Sequence, residues 1–168
     1  MPGWSHGATL RINGEPMDAG ALLERGYVRL ERTWCGGDRI ELDLPMPVER
    51  VTAHPAVAHD IGRVALQRGP IVYCLEQVDN PLPLHTLMLP RNAHLTARFD
   101  RSYLGGIVAL HADAVAADSS QWNGQLYQTQ PTRPRRQPLV AVPYTVWDNR
   151  AAGQMQVWIR ETGVDEPI

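Results

Sequence analysis

The run from Gly62 to Asn80, GRVALQRGPIVYCLEQVDN, constrains the fold more than any other part of the chain. Val64, Ala65 and Leu66 precede Gln67-Arg68-Gly69-Pro70, and Ile71, Val72, Tyr73, Cys74 and Leu75 follow. β-Branched and aromatic residues favour extended backbone, and near-continuous hydrophobicity implies cover on both faces. As a single strand, Val64 to Leu75 would extend roughly 40 Å at about 3.3 Å per residue, long for a small sheet. Pro70 has no N–H to give to a ladder. The pattern therefore predicts a bulge, or a strand that changes sheets, at Gly69-Pro70. The side chains on both sides of that bend are expected to be mostly buried, making the stretch the central ribbon of a β-sandwich.

The flanking segments are also extended in pattern. Ala8 to Ile12 alternates into Asn13-Gly14, the pair that best marks a two-residue hairpin, and Glu15 to Met17 begins the return strand. Ala19 to Glu24 suits one short helical turn. Tyr27 to Trp34 reads as a strand with Val28, Leu30 and Trp34 on one face. After the Cys35-Gly36-Gly37-Asp38 connection, Arg39 to Met46 alternates, with Ile40, Leu42, Leu44 and Met46 inward and Arg39, Glu41 and Asp43 outward. Pro45 and Pro47 end that pairing. Val48 to Val57 is expected to be extended and Pro81 to Pro90 an irregular arm, while Leu95 to Phe99 and Gly105 to Leu110 read as strands. Ser119 to Pro138 is polar, with Arg133, Arg135 and Arg136 clustered, and is predicted to be a mobile loop. Leu139 to Tyr144 and Met155 to Ile159 close the fold, with Met155, Val157 and Ile159 on one face and a polar tail from Glu161. Fourteen glycines and fourteen prolines favour a turn-rich chain over a helical one. The expected fold is all-β: an antiparallel, jelly-roll-like β-sandwich over residues 1–160, with long irregular loops, little helix and a tail over residues 161–168.

At 168 residues the chain has the length of one domain. No lysine occurs, so all 16 Lys+Arg cations are arginine, and a formal net charge of −2 gives no electrostatic reason for a nucleic-acid or membrane partner. Cys35 and Cys74 are too few for a disulfide scaffold or a four-cysteine zinc site. Cys74 reads as a small core residue, Cys35 as an exposed turn thiol, and a bridge between them stays open. No run reaches the roughly 18 apolar residues of a membrane span, and Met1-Pro2-Gly3-Trp4 does not resemble a signal peptide. The compartment is left unknown, with the cytoplasm as the default.

Glycosidase chemistry requires two carboxylates facing one bond, about 5 to 10 Å apart. Glu31, Glu41, Asp43, Glu76 and Asp79 are available, yet solvated charge is the default for those on an outward strand face. Glu76 stands out because it directly follows the buried strand. His54 and His59, with Asp60 beside them, would need His85 or His94 as a third metal ligand and fit no zinc spacing closely. A histidine fixing a turn beside Pro55 is the favoured reading of His54. Five tryptophans and five tyrosines stand against one phenylalanine. Trp122, Tyr127, Trp147 or Trp158 could stack on sugar rings, but core or interface packing suits such amphipathic aromatics better.

Taken together, PGWSHGATLRINGEP, YVRLERTWCGGDRIELDLPMPVERVTAHP, GRVALQRGPIVYCLEQVDN and AVPYTVWDNRAAGQMQVWIR resemble the C-terminal part of glycoside hydrolase family 127, the β-L-arabinofuranosidases. The similarity spans most of Pro2 to Arg160. The resemblance implies retaining hydrolases in which an (α/α)6 barrel is followed by β-sandwich domains. It also implies a cysteine nucleophile in a zinc site and an acid/base glutamate, all carried by the barrel. The adjacent cysteine pair of that family has no counterpart here, so neither Cys35 nor Cys74 inherits the nucleophile. No residue of this chain is expected to be catalytic, cofactor-binding or metal-binding, and zinc is expected only in the barrel. The function implied is a noncatalytic domain that braces the catalytic barrel and contributes to a homodimer. The alternatives are an independent carbohydrate-binding module using Trp122, Tyr127 and Trp147, or an interaction domain without sugar binding. Because Met1 directly precedes the Pro-Gly-Trp segment, a fragment with an exposed apolar edge or barrel-facing surface is expected.

Overall fold

A computed structural model describes residues 1–120, 122–130 and 134–163. The chain divides into two compact units, Met1–Pro47 and Val48–Ile168, and its regular structure is almost entirely strand. The all-β expectation holds.

In the first unit, β1 (Thr9–Ile12) pairs antiparallel with β2 (Glu15–Met17) and with β5 (Ile40–Asp43). Asn13 and Gly14 both take positive φ, 53° and 85°, as a type I′ turn requires. A second small ribbon joins β3 (Leu23–Glu24) to β4 (Tyr27–Val28) about Arg25-Gly26, also both at positive φ. Of the helical turn expected over Ala19 to Glu24, residues 19–22 form a turn closed by the Leu23 N–H on the Gly20 carbonyl at 3.2 Å, while Leu23–Glu24 instead enters this ribbon, which Gly26 lets reverse. The strand expected from Tyr27 to Trp34 stops at Val28, and Trp34 is exposed. Asp38 caps the Cys35–Asp38 turn, accepting the Cys35 N–H at 2.9 Å and the Asn13 amide at 2.8 Å.

The alternation predicted for Arg39 to Met46 sets the register but not the burial. Leu42 lies opposite Leu10 and Ile40 opposite Ile12, so all four share a face. Only Leu10 and Ile12, on the central strand, are buried; Ile40, Leu42 and Met17 on the flanking strands are exposed. A three-stranded sheet covers its middle first.

In the second unit, β6 (Val48–Val51), β7 (Arg63–Arg68), β8 (Ile71–Glu76), β9 (Leu87–Pro90), β10 (Thr96–Asp100), β11 (Ile107–Ala117), β12 (Pro134–Pro143), β13 (Met155–Gln156) and β14 (Ile159–Thr162) form one continuous hydrogen-bonded system. Its path β8-β12-β11-β9-β14-β7 returns on itself through the β7–β8 pairing. All these pairs are antiparallel except β9–β14. The central stretch is therefore not one bent ribbon. Gln67 faces Val72 and Arg68 faces Ile71 across a two-residue hairpin at Gly69-Pro70, where Gly69 adopts φ 57°. Proline in the turn costs the ladder no hydrogen bond, which resolves the length problem of a 40 Å strand.

The main core gathers Val64, Leu66, Tyr73, Leu75, Leu84, Leu87, Leu89, Leu110, Leu139, Ala141 and Ile159. On β8, β11 and β12 the intervening positions serve a second cluster of Cys74, Ile107, Ala109 and Val142, packed by Tyr103, Val146, Met155 and Val157. Met155 and Val157 therefore do not share a face with Ile159; the chain leaves β13, which pairs with β8, before entering β14, which pairs with β7. Three further expectations change. The arm over Pro81 to Pro90 carries β9, because Leu87 and Leu89 face the core. Pro134 to Pro138 is already strand, while Gln121 and 131–133, including Arg133, lie outside the described residues. Glu161 belongs to β14 rather than to a tail: it receives Arg50 and Arg91 at 3.0 Å each. Arg50 also donates to the Pro90 and Ala93 carbonyls at 2.9 and 3.0 Å, tying the parallel pair to its flank.

Candidate functional site

At the exit of β8 the chain turns at Glu76–Asn80, and the turn is built around Asn80. Its buried amide donates to the Glu76 and Val140 carbonyls at 2.9 Å each and accepts the Val140 N–H at 3.0 Å. One side chain thus stitches the turn to β12. The same turn projects Glu76 and Asp79 toward Arg150, which arrives from the Trp147–Gly153 connection. Arg150 donates to Asp79 Oδ1 and Oδ2 at 2.8 and 2.6 Å, to Glu76 Oε2, and to the Tyr103 hydroxyl at 2.6 Å. The Tyr103 hydroxyl in turn donates to Asp79 Oδ1, and its ring stacks on the guanidinium at 4.3 Å. The remaining Glu76 oxygen accepts the backbone N–H of Asp148 at 3.3 Å.

The electrostatics follow from this packing. Hydrogen bonding to Asp79, and then to Glu76, holds the Arg150 pKa above the ordinary arginine value. Burial, reinforced by the Asp79 hydrogen bond, pushes the Tyr103 phenol up to about 12. Burial and then the nearby Glu76 charge push the Cys74 thiol up to about 11. Glu76 is the one carboxylate among the buried residues described, and each of its oxygens accepts a hydrogen bond, one from Arg150 and one from the Asp148 N–H. Glu76 and Asp79 are bridged by one guanidinium, which lies between their carboxylates and pairs with both. The cluster holds two loops together and does not present a nucleophile and an acid to solvent.

The other candidates lie apart. Glu31 and Glu41 are surface residues paired with Arg29 and Arg39. His54 accepts the Ala56 N–H at 3.1 Å and fixes the turn at Pro55 as expected. Among the described residues, no three His, Cys, Asp or Glu side chains converge as a metal site would need. Both cysteines are free, Cys35 exposed and Cys74 buried. Trp122 is half-buried and donates to the Asp118 carbonyl at 3.2 Å, and Tyr127 is 89% exposed. Trp147 stacks on Tyr144 with ring centroids 5.9 Å apart. A polar groove of about 310 Å³ is lined by His94, Thr96, Arg98, His111 and Asp113 on the β10–β11 face. Sequence reasoning named Glu76 and Asp79 as available carboxylates but missed Arg150, which pairs with both, and Tyr103, which bonds Asp79 and Arg150; only the placement of Glu76 directly after a buried strand pointed to the cluster.

Fold and site together define an all-β chain whose best-placed carboxylates are gathered on one arginine. Residues 48–160 match the glycoside hydrolase family 127 C-terminal domain, and residues 1–46 match the middle domain of the β-L-arabinofuranosidases of that family. The chain belongs to glycoside hydrolase family 127. The boundary between these matches coincides with the division between the two structural units. A non-reducing end β-L-arabinofuranosidase of Bifidobacterium longum subsp. longum is 39% identical over 95% of the chain, which covers 25% of that relative. A family 127 β-L-arabinofuranosidase from Geobacillus stearothermophilus T6 superposes with a TM-score of 0.91 at 48% identity, over 96% of this chain and 26% of that one. A further family 127 β-arabinofuranosidase superposes at 0.81 with 30% identity, over 92% of this chain and 23% of that one. The chain spans about a quarter of the length of these relatives.

Proposed function

We propose that this chain is the noncatalytic β-domain portion of a β-L-arabinofuranosidase-like glycoside hydrolase, packing against the portion that carries catalysis and stiffening it. The observation that carries this reading is the state of Glu76 and Asp79. The two carboxylates placed best for chemistry are both ion-paired to Arg150, and a catalytic acid or nucleophile must instead face its substrate. Family membership and the quarter-length coverage of the relatives support it. Any zinc of the parent enzyme belongs, in this reading, to residues outside the chain, and no residue described here is assigned to it. Contribution to a homodimer is part of the same proposal: Ile40, Leu42 and Met17 leave an apolar sheet face open to a second copy.

The test is direct. The 168-residue chain is expected to release no arabinose from a β-L-arabinofuranoside at any enzyme concentration reachable in the assay. Turnover that survives repurification, and disappears with Glu76→Gln, would overturn the proposal. Sedimentation velocity reads the second part: a concentration-dependent dimer supports it, and a monomer across the accessible range removes it.

A further inference from the structure

The Arg150 cluster presents an energetic puzzle. Burying ion pairs roughly breaks even against apolar packing, so such networks are poor devices for stability alone. What this one achieves is position. Asp148 N–H is held on Glu76, Arg150 on Glu76, Asp79 and Tyr103, and the Asn149 amide on the Val146 and Trp147 carbonyls at 3.1 Å each. Trp147 N–H closes onto the Tyr144 carbonyl at 3.2 Å, and Asp148 is kept at φ 62°, a left-handed conformation uncommon outside glycine. Every one of these contacts fixes the segment that displays Tyr144 and Trp147.

Those two rings are stacked at 25° to one another and stay 44% and 40% exposed. Val72 lies one step beyond the Pro143–Tyr73 pair, where Tyr144 leaves β12, and is 40% exposed itself. It points to the side of β8 occupied by Cys74, over which Val146 packs. Tyr144 and Trp147 thus form an apolar patch on a rigid support, and the strand register places exposed Val72 next to where Tyr144 leaves β12. A preorganised Trp/Tyr patch is the usual make-up of an interface hot spot.

We infer that this patch is the surface on which the remaining three-quarters of a family 127 polypeptide packs. The inference rests on the accessory-domain reading and adds its docking face. The occupant is argued from two observations. Beyond the part this chain matches, the relatives carry about three times its length in the same polypeptide, so a large partner surface is covalently at hand in them. Part of the polar complement beside the rings is also spent within the fold: Asn149 Nδ2 on carbonyls, Arg150 on the ion cluster, the Asp148 N–H on Glu76. A saccharide needs hydrogen-bonding groups beside its stacking rings, whereas a protein surface needs mainly shape and apolar area.

The experiment grafts this chain into the Geobacillus stearothermophilus relative in place of its aligned quarter and follows unfolding by calorimetry. With the native patch, the graft is expected to unfold in one transition. With Val72→Ser, Tyr144→Ser and Trp147→Ser together, residues 48–163 should unfold as a separate transition. Limited proteolysis should then release the domain about tenfold faster, while the same triple variant of the 168-residue chain keeps its own melting temperature. A triple-variant graft that still melts in one transition at the original temperature overturns the docking face and leaves the accessory reading standing. Two transitions in the unsubstituted graft overturn both. Saturable quenching of the 168-residue chain by arabino-oligosaccharides, abolished by Trp147→Ser, overturns protein docking in favour of a sugar.

Discussion

Replacing Arg150 with methionine tests the electrostatic account of the cluster. The substitution keeps most of the side chain's volume but removes the cation shared by Glu76 and Asp79. The Glu76 and Asp79 side chains are only 6% and 11% exposed, so their charges are left poorly solvated, while Arg150 itself is 23% exposed. Removing one partner of a buried pair costs about 3–5 kcal/mol. Solvent access at the guanidinium places the loss at the low end, about 3 kcal/mol. At about 4 °C per kcal/mol for a domain of this size, the melting temperature should fall by about 12 °C. Urea denaturation followed by circular dichroism measures the loss, and tryptophan emission should shift to the red before the global transition as the Trp147 segment loosens. Arg150→Lys keeps the charge without the fork and should lose about half as much. A double-mutant cycle with Asp79→Asn should return a coupling of about 1–3 kcal/mol. A loss under about 1 kcal/mol, with no coupling to Asp79, would refute the reasoning: the cluster would then be a solvated surface pair.

Three further outcomes are expected. Asn80→Ala strands the Val140 N–H and two carbonyls and should cost about 2–4 kcal/mol in urea unfolding; Asn80→Asp, unable to donate, should be no better. In native buffer a thiol reagent should label Cys35 rapidly and Cys74 only on unfolding, because burial encloses the Cys74 thiol and raises it to about 11; fast reaction of both thiols would contradict the packing of the second cluster. Tyr103 is neutral in the fold up to about pH 12 but ionises near 10 when unfolded, so the unfolded chain releases its proton first. The contribution is therefore intact below pH 10 and is lost as the pH rises from about 10 to 12. Tyr103→Phe should flatten that part of the alkaline stability profile, and an unchanged profile would argue that the phenol is not enclosed.

What could be read from sequence and what could not divides along the range of the interactions. Alternation grouped Ile40 with Leu42 and marked Ala8 to Ile12 as a strand correctly, because side-chain period along a strand is a local property; that the two strands share a face came only from their pairing. Their burial was not local. Whether Ile40 is covered depends on which strands flank β5, and nothing in Arg39 to Met46 encodes that β5 lies at an edge. The central stretch was misread for a related reason. Gly69-Pro70 was recognised as a break, but a break within a strand and a hairpin turn differ only in whether the two halves face each other. The local clue favouring the hairpin was the length: two six-residue strands are ordinary, and one of about twelve is not.

The candidate site was less legible because its parts are widely separated in sequence. Glu76 could be singled out as a carboxylate at the end of a buried strand, which must be paired or solvated. Its partner lies 74 residues later, on a connection whose composition reads as an ordinary polar turn. Trp147 was picked out for its ring alone, and the ring turns out to belong to the segment that Arg150 pins. This changes how the aromatic excess is interpreted. Trp122, Tyr127 and Trp147 are not equivalent in their surroundings: Trp122 spends its indole N–H on the Asp118 carbonyl, and Tyr127 stands almost free of the protein. Of the three, Trp147 has a buried ion network committed to its position. An exposed ring held that firmly has already lost the conformational freedom that binding would otherwise cost, and that saving is realised only when something covers it.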